Sequence, residues 1–398
     1  MLYLSEENSN WRKKIQMTDL QECRKEIDRI DSEIVKLFEK RMKVSEEVAK
    51  YKIHTGKEVL DSRREQEKLK ALRAQAHNGF NALGVQEIFQ QIMAISRKRQ
   101  YQLLTASKAT AGQDYTMVEK LPLSGVKVVF QGVEGAYSYA AMRAYFPEDI
   151  ENYHVKTFRD AMEEVASGRA DYGVLPIENS TQGIVTDIYD LLTEYQLYIV
   201  GEQVIRADHV LLGLPGTSLE EISAVYSHPQ ALAQCKKYLE SHPDWKTVKT
   251  ENTAASAKKV KEEGRSCQAA VASREAGKFY GLSVLAEHIC HNGQNVTRFI
   301  IVSPKPVYEA KAEKVSICFE LPHESGTLYN MLSHIIYNGL NMTKIESRPI
   351  PGKTWQYRFF VDFQGNLADP AVKNALRGVE AEADSMRVLG NYGQQEEA

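Results

Sequence analysis

Apolar residues recur at spacings of three and four near the start of the chain, and this pattern limits the possible fold more than any other feature. The apolar stripe consists of Leu20, Cys23, Ile27, Ile30, Ile34, Leu37, Val44, Val48 and Tyr51. The spacing predicts one amphipathic helix over residues 19–54, roughly 50 Å long. A single helix of this length cannot bury its own apolar face. It needs the shorter helical patterns at residues 62–76 and 85–103, and a second copy of the chain.

The pattern changes twice further along the chain. Residues 105–125 are rich in small and polar residues, which is typical of a linker. Short apolar runs then alternate with helical patterns over residues 126–303, which indicates α/β units. A second boundary at residues 304–313 contains Pro304 and Pro306. Residues 314–392 follow the order βαββαβ, which is ferredoxin-like.

The fold class is therefore multi-domain: an all-α helical module at 18–104, a two-lobed α/β domain at 126–303 and an α+β ferredoxin-like domain at 314–392. Residues 393–398 form a tail. Residues 1–17 are either a leader before an effective start at Met17 or an extension of the first helix.

Composition excludes several classes of protein. Fifty Lys and Arg residues against 53 Asp and Glu residues give a net charge of −3, so there is no global positive field to hold nucleic acid. No secretory signal and no apolar stretch of membrane-spanning length is evident, so we expect a cytoplasmic protein that does not bind a membrane. The five cysteines have no zinc-site or disulfide-framework spacing. No dinucleotide, Walker, H-E-x-x-H or EF-hand motif occurs, so we expect neither a cofactor nor a metal.

One cation interrupts the apolar stripe. Arg41 follows Leu37 by four residues, and a charge on this face needs an anionic partner. Lys52 lies eleven residues later on nearly the same face, about 16 Å along the helix. The two cations could bracket a small dianion. Arg24 points roughly 100° away from Arg41, so we expect it to serve a different pocket, including one on an antiparallel partner.

Further polar groups lie on single faces of the next two helices. Asp61, Arg64 and Glu65 have i, i+3, i+4 spacing, and Ser96 and Gln100 have i, i+4 spacing. Solvated ion pairs on helix surfaces are an alternative interpretation, but they do not explain Arg41.

Together these positions, over residues 19–103, resemble the all-helical chorismate mutase family. The resemblance implies an intertwined homodimer that binds chorismate between helices. It implies Arg41, Arg64 and the partner's Arg24 for the carboxylates, and Lys52 and Gln100 as donors to the ether oxygen. The remaining implied contacts, on the side of the ring hydroxyl, are Asp61, Glu65 and Ser96. A pericyclic rearrangement needs no acid or base, only a fixed conformation and suitable donors.

The middle region carries polar residues where strands meet helices. The segment at residues 131–138 can offer backbone amides to an anion. Similar junctions occur at 176–180, at 227–230 and at 272–273, although ordinary helix capping would explain any one of them. Thr297 and Arg298 directly precede the apolar run at 299–302.

These segments together resemble prephenate dehydratase over residues 126–303, through G-x-x-G-A-Y-S, P-I-E-N-S-x-x-G, S-H-P-Q-A and T-R-F in this order. The resemblance implies two α/β lobes around a cleft, similar to periplasmic solute-binding proteins, with Thr297 in catalysis. It implies that Arg298 and the helix N-termini hold the carboxylates of prephenate. The implied substrate-binding residues are Gly135, Ala136, Ser138, Asn179, Ser180, Ser227, Gln230, Arg298 and Phe299.

Two segments of the last module resemble the ACT regulatory domain of the same enzymes. They are Ser325-Gly-Thr-Leu328 and Glu346-Ser-Arg-Pro349. The resemblance implies an L-phenylalanine site near a subunit interface, formed by Gly326, Thr327, Leu328, Glu346, Ser347 and Arg348. The family commonly has Ala where this chain has Thr327, and this departure bears on the affinity for phenylalanine.

The three resemblances predict an enzyme that rearranges chorismate to prephenate, converts prephenate to phenylpyruvate and is inhibited by L-phenylalanine. An effector-sensing transcription regulator is an alternative, but it would need a helix-turn-helix motif. A receptor for a transported solute would need an export signal. Prephenate dehydrogenase would need a dinucleotide fingerprint.

Overall fold

This computed structural model describes residues 20–107, 115–290, 295–324 and 326–395. The expected leader at 1–17, Ser325, the middle of the first expected linker and the last residues of the tail lie outside the described residues. The chain divides into two compact units, residues 1–111 and 112–398. None of the described helices is long and apolar enough to cross a membrane.

The first unit contains the expected long helix and the two shorter ones. They are α1 (Leu20–Thr55), α2 (Ser62–Arg73) and α3 (Gly79–Ser107). Ala49 of α1 and Met93 and Ala94 of α3 are buried. Most of the apolar stripe is not, because Ile27, Ile34 and other members of it are more than 40% exposed. The unit therefore leaves uncovered the apolar face that the sequence requires to be buried.

The second unit begins with a larger lobe. Before the chain enters the second lobe, the elements of this first lobe are β1 (Thr116–Val118), β2 (Lys127–Gln131), α4 (Tyr137–Tyr145), β3 (Glu151–Val155), α5 (Phe158–Ala166), β4 (Tyr172–Asn179), β5 (Gly183–Ile184), α6 (Thr186–Glu194) and β6 (Tyr198–Arg206). The elements of the second lobe are β7 (His209–Gly213), β8 (Ala224–Ser227), α7 (Pro229–Gln234), α8 (Lys236–Glu240), β9 (Lys246–Lys249), α9 (Thr253–Glu263), β10 (Gln268–Ser273), α10 (Arg274–Tyr280) and β11 (Ser283–Ala286). A short 3-10 helix, Leu219–Glu221, precedes β8.

The chain then returns to the first lobe and forms a C-terminal module. The elements are β12 (Val296–Ser303), β13 (Val307–Glu309), β14 (Lys314–Glu320), α11 (Thr327–Ile336), β15 (Met342–Pro349), β16 (Tyr357–Gln364), α12 (Pro370–Glu382), β17 (Ser385–Tyr392) and β18 (Gln394–Gln395). From β14 to β17 the element order is the predicted βαββαβ. Helices α11 and α12 pack on one face of its four strands, through Met331, Ile335, Val372 and Leu376.

Within the described part of the chain, the strands form two large sheets and one small pair. The second lobe has the strand order β11-β7-β10-β8-β9. The other sheet runs β15-β16-β14-β17-β6-β12-β4-β2-β3, so the C-terminal module and the first lobe share one continuous sheet. Strands β1 and β13 pair in parallel inside the two segments expected to be linkers. Strands of three residues are too short to show a period in the sequence.

The continuous sheet includes one close backbone approach. Gly390 of β17 pairs with Ile199 of β6, and a Cβ atom at Gly390 would lie 2.1 Å from the Ile199 carbonyl oxygen. We expect Gly390→Ala to lower the free energy of unfolding by about 2 kcal/mol, because the backbone must move apart. Gly393→Ala is the matched control, since nothing lies within 4 Å of its Cβ position. Urea denaturation of the two variants measures the difference, and equal stabilities would contradict this account of the joint.

Candidate active sites

The first candidate site lies among the three helices of the first unit. Arg41 of α1 donates a short hydrogen bond to the Ser96 hydroxyl of α3 and a longer one, 3.4 Å, to the Ile92 carbonyl oxygen. Burial lowers the pKa of Arg41, and the nearby charge of Glu65 opposes that shift. A half-buried cation with mainly neutral partners is suited to bind an anion, as the gap in the apolar stripe predicts.

Lys52 lies near the start of α2. Its Nζ donates a hydrogen bond of 2.6 Å to the Val59 carbonyl oxygen. Burial lowers the pKa of Lys52, while the carboxylates of Asp61 and Glu65 act in the opposite direction. Asp61 itself is the N-cap of α2 and accepts a 3.1 Å hydrogen bond from the backbone N–H of Arg64. The expected ligand residues Lys52, Asp61 and Glu65 are therefore close together.

Arg97 and Ser45, which sequence reasoning missed, complete this cluster. Arg97 is buried and its guanidinium lies 2.5 Å from the Glu65 carboxylate. Gln100 donates a 3.2 Å hydrogen bond to the buried Ser45 hydroxyl. Arg97 stands four residues after Met93 and three before Gln100, so spacing could have identified it as inward-facing. Ser45 gives no comparable signal.

Arg24 and Arg64 are exposed. Arg24 is seventeen residues before Arg41 on the same helix, which places it about 25 Å away along the axis. An arginine side chain cannot span that distance. The structure therefore does not bring Arg24 to the cluster of its own chain.

The second candidate site lies where β12 meets β4. The Asn179 side-chain N–H groups donate to the Thr297 hydroxyl at 2.8 Å and to the Asn295 side-chain oxygen at 2.9 Å. The Thr297 hydroxyl accepts this bond, and among the described residues its own hydrogen has no acceptor. Thr297 is thereby prepared to donate a hydrogen bond to a ligand.

A β-bulge aims Asn179 at Thr297. Phe299 pairs with Pro176, but the preceding Arg298 pairs with Glu178, so one extra residue enters β4 between them. A bulge moves the following side chain to the other face of the strand. Asn179 thus shares a face with Thr297, while Glu178 shares the opposite face with Arg298.

A chain of hydrogen bonds connects this pair to the second lobe. Asn295 donates to the Gln234 side-chain oxygen at 3.3 Å, and His209 Nε2 lies 3.0 Å from the same oxygen. Because that oxygen is only an acceptor, Nε2 carries the hydrogen and Nδ1 accepts from the Tyr137 hydroxyl at 2.7 Å. Burial lowers the pKa of His209, which favours this neutral form. Sequence reasoning missed Tyr137, His209 and Gln234, because no spacing joins them.

Three serines among the expected contacts of the second site form hydrogen bonds with backbone groups. Ser180 accepts a 3.0 Å hydrogen bond from the Val296 backbone N–H and thereby fixes the start of β12. The hydroxyls of Ser138 and Ser227 donate to the backbone carbonyls of Gln131 and Val271, at 2.5 and 2.6 Å. In this structure Ser138 therefore bonds across the loop between β2 and α4, and Ser227 bonds from β8 to β10.

The loop before α4 touches the second lobe. Gly135 has φ +83°, and a Cβ atom there would lie 2.9 Å from the Ala276 Cα atom. Ala136 is the N-cap of α4 and provides no side-chain cap, so the first N–H groups of the helix are left for another acceptor. Gln230 is partly exposed at the start of α7. Phe299 is 2% exposed and belongs to the core below α4, which corrects the expectation that it contacts substrate.

Arg298 also requires a correction. Its guanidinium lies 3.1 Å from Asp362, 3.6 Å from Glu178 and 3.7 Å from Glu202, on the face of β12 opposite Thr297. Burial would lower the pKa of Arg298, but Tyr392, Asp362 and Glu202 raise it overall. The expectation that Arg298 holds a substrate carboxylate does not fit this placement, because three protein carboxylates already surround it.

The expected phenylalanine residues do not all share one site. Thr327 and Leu328 line a cavity of about 350 Å³ together with Tyr357 and Phe359. Gly326 is the N-cap of α11 with φ +84°. Ser347 pairs with Phe359 and so shares its face of the sheet. Glu346 and Arg348 belong to the opposite face, where Arg348 lies 2.7 Å from Asp190 of α6. Strand alternation therefore divides a set of residues that are adjacent in sequence.

Comparison with known proteins gives both units a family. The family model for chorismate mutase type II matches residues 23–101, and that for prephenate dehydratase matches residues 128–307. The bifunctional chorismate mutase/prephenate dehydratase of Escherichia coli is 34% identical over 93% of this chain and 95% of that protein. The enzyme of the same name from Aquifex aeolicus is 33% identical over 94% of this chain and 98% of that protein.

Solved structures agree for the second unit. The crystal structure of prephenate dehydratase from Arthrobacter aurescens in complex with L-Phe is 33% identical, with a TM-score of 0.61. The match covers 67% of this chain and 90% of that one.

The two units thus define a chain that joins an isomerase to a carbon–oxygen lyase. It belongs to the bifunctional chorismate mutase/prephenate dehydratase family. The first reaction rearranges chorismate to prephenate, and the second removes carbon dioxide and water from prephenate to give phenylpyruvate. The alternatives of a transcription regulator or a solute receptor are not favoured by these findings.

Proposed function

We propose that the mutase site is shared between two subunits. Arg41, Lys52, Ser96 and Gln100 of one subunit bind chorismate, with Asp61, Arg64 and Glu65 beside them. Arg24 of the partner subunit completes the site. The observation that carries this proposal is the exposed apolar stripe of α1, which a second copy of the helix would bury.

At this site the residues act by position and charge. Lys52 and the Gln100 amide donate to the ether oxygen as its charge develops, while the arginines hold the carboxylates. Among the described residues, the Gln100 side-chain oxygen has no hydrogen-bond partner. The Ser45 hydroxyl can both donate and accept, so the amide can turn over and free its NH₂ group for the ligand.

For the second reaction, we propose that Thr297 donates a hydrogen bond to the departing hydroxyl group of prephenate. The bond from the ring to the carboxylate breaks and releases carbon dioxide, its electron pair makes the ring aromatic, and the hydroxyl takes a proton from solvent and leaves as water. Asn179 holds Thr297 in the donating orientation. The free N–H groups at the start of α4, after Gly135 and Ala136, bind a carboxylate.

The residues at 314–392 form a ferredoxin-like ACT regulatory domain in this proposal, and L-phenylalanine binds in the cavity beside Thr327 and Leu328. Two features support this: the βαββαβ order, and the complex of the Arthrobacter aurescens relative with L-Phe. The apolar wall formed by Leu328, Tyr357 and Phe359 suits an aromatic ring.

A mixing experiment tests the shared mutase site. Arg24→Ala and Lys52→Ala should each be nearly inactive as mutases. After subunit exchange, an equal mixture should regain about a quarter of wild-type activity, because each heterodimer has one intact site. A mixture of Arg41→Ala and Lys52→Ala is the matched control and should regain none, since both residues come from the same side of the site. Lack of rescue after demonstrated exchange would disprove sharing.

Substitutions at the β12–β4 pair test the dehydratase proposal. Thr297→Ala should lower dehydratase kcat by about 10²-fold or more, and Thr297→Ser should retain most activity because the hydroxyl remains. Asn179→Asp should also lower kcat, because a carboxylate would accept the hydrogen that Thr297 must donate. Mutase activity measured on the same samples is the internal control. Equal activity of the Ala and Ser variants would contradict the donor role.

A smaller side chain in the cavity tests the regulatory proposal. Leu328→Ala should raise the phenylalanine concentration for half-inhibition of the dehydratase by about tenfold, because apolar contact with the ring is lost. Ile336→Ala is the matched control on the same helix, because Ile336 is exposed and does not line the cavity. Calorimetric titration with phenylalanine measures binding directly. If both variants bind like the wild type, the site lies elsewhere.

A further inference from the structure

The two faces of β12 belong to different parts of the second unit. Thr297 shares a face with Asn179, next to the chain of hydrogen bonds that leads to the second lobe. Arg298, the next residue, contacts Asp362 of the C-terminal module. One strand therefore carries a dehydratase residue on one face and an intermodule contact on the other.

Arg298 belongs to a cluster of six charges, which we name the boundary cluster. Its members are Arg298, Glu178 and Glu202 from the first lobe, and Lys314, Lys344 and Asp362 from the C-terminal module. Lys314 Nζ lies 2.8 Å from Glu202, and Lys344 Nζ lies 2.7 Å from Glu178. Three cations thus balance three anions.

The boundary cluster is largely shielded from water. The side chain of Glu202 is 1% exposed, and those of Lys314, Asp362, Lys344 and Arg298 are 8%, 10%, 13% and 16% exposed. Glu178, at the edge of the cluster, is 37% exposed. A charge buried without a partner is strongly unfavourable. Neither the first lobe nor the C-terminal module balances the charges that it contributes to the cluster. The neutral arrangement therefore exists only when the lobe and the module meet in this register.

Polar groups of the C-terminal module fix Asp362. The Ser316 hydroxyl donates to the Asp362 carboxylate at 2.6 Å and lies 2.8 Å from the Tyr392 hydroxyl. Asp362 therefore has a defined position relative to strands β14 and β17. A shift of these strands would move the carboxylate that holds Arg298.

The register of β12 on β4 relates the two faces. Thr297 pairs with Asn179, and Arg298 pairs with Glu178. Both partners of the Thr297–Asn179 hydrogen bond are thus neighbours, in the chain, of boundary-cluster residues. We propose that Arg298 is a positioning residue for the dehydratase: through Asp362 it sets the placement of Thr297 according to the position of the C-terminal module.

This inference rests on the proposed role of Thr297 and extends the proposed phenylalanine regulation. Phenylalanine can inhibit only if it favours one arrangement of the enzyme over another. The boundary cluster supplies the physical contact through which the C-terminal module could act on β12. Arg298 then affects turnover without contacting prephenate.

A double-mutant cycle tests the proposal in the full-length enzyme. Arg298→Gln and Asp362→Asn should each lower dehydratase kcat by about tenfold with little change in KM, because Thr297 is misplaced while the carboxylate-binding groups remain. The double variant should be no worse than either single variant, since both remove the same contact. Each variant should also change the phenylalanine concentration for half-inhibition by at least threefold.

Asp190→Asn is the matched control. Asp190 also pairs across the module boundary, with Arg348, but it lies on α6 rather than on β12 or β4. The substitution is again carboxylate to amide, and we expect dehydratase kcat to stay within twofold of wild type. Thermal unfolding of all variants identifies any that fail to fold, and Arg298→Lys, which keeps the charge, should recover part of kcat.

The possible results are distinct. A large rise in KM for Arg298→Gln, without one for Asp362→Asn, would mean that Arg298 binds substrate and would overturn the proposal. Additive losses of kcat in the double variant would also overturn it. If Thr297→Ala keeps full activity, the proposed dehydratase site is wrong. If the wild type is insensitive to phenylalanine, only the proposed regulation fails, and the cycle in kcat still tests Arg298.

Discussion

The pairing of β12 between β4 and β6 is the constraint on which the second unit depends. This strand brings the chain back from the second lobe and completes the sheet of the first lobe. Its register, with one bulge opposite Phe299, places Thr297 against Asn179 and Arg298 against Glu178. If the Phe299–Pro176 register continued without a bulge, Glu178 would lie opposite Thr297 and Asn179 would face away from it. The bulge thus determines which residues of β4 lie beside Thr297 and Arg298, while alternation along β12 itself turns Arg298 towards Asp362.

The first unit depends on a different constraint, which is the length of α1. A helix of 36 residues has more apolar surface than α2 and α3 can cover, and its exposed stripe remains available for another chain. The same length separates Arg24 from Arg41 by about 25 Å. In the proposed dimer one second subunit would both bury the stripe and bring its own Arg24 to Arg41.

Two kinds of residue could be predicted from the sequence: a charge that interrupts an apolar stripe, and a residue that lies in a motif of a known family. Arg41 was identifiable because a charge interrupts an apolar stripe, and Thr297 because it lies in a motif of a known family. The direction of Arg298 could not be predicted, since it depends on strand alternation and on Asp362, which lies 64 residues away in the chain. The direction of Arg348 could not be predicted for the same reason, because strand alternation turns its side chain away from that of Ser347 and towards Asp190. His209 and Gln234 meet only when two lobes fold together, so no local pattern indicates them.

The boundary between the first lobe and the C-terminal module combines two kinds of contact with different roles. Cys318, Phe360 and Leu389 of the module share an apolar core with residues of the first lobe, including Tyr189 and Leu192. Apolar contact of this kind stabilises association but tolerates small shifts. Buried ion pairs add little net stability, because desolvation offsets their attraction, yet they penalise every register that leaves a charge unpaired. The apolar core therefore holds the module on the lobe, while the six charges fix where it lies over β12.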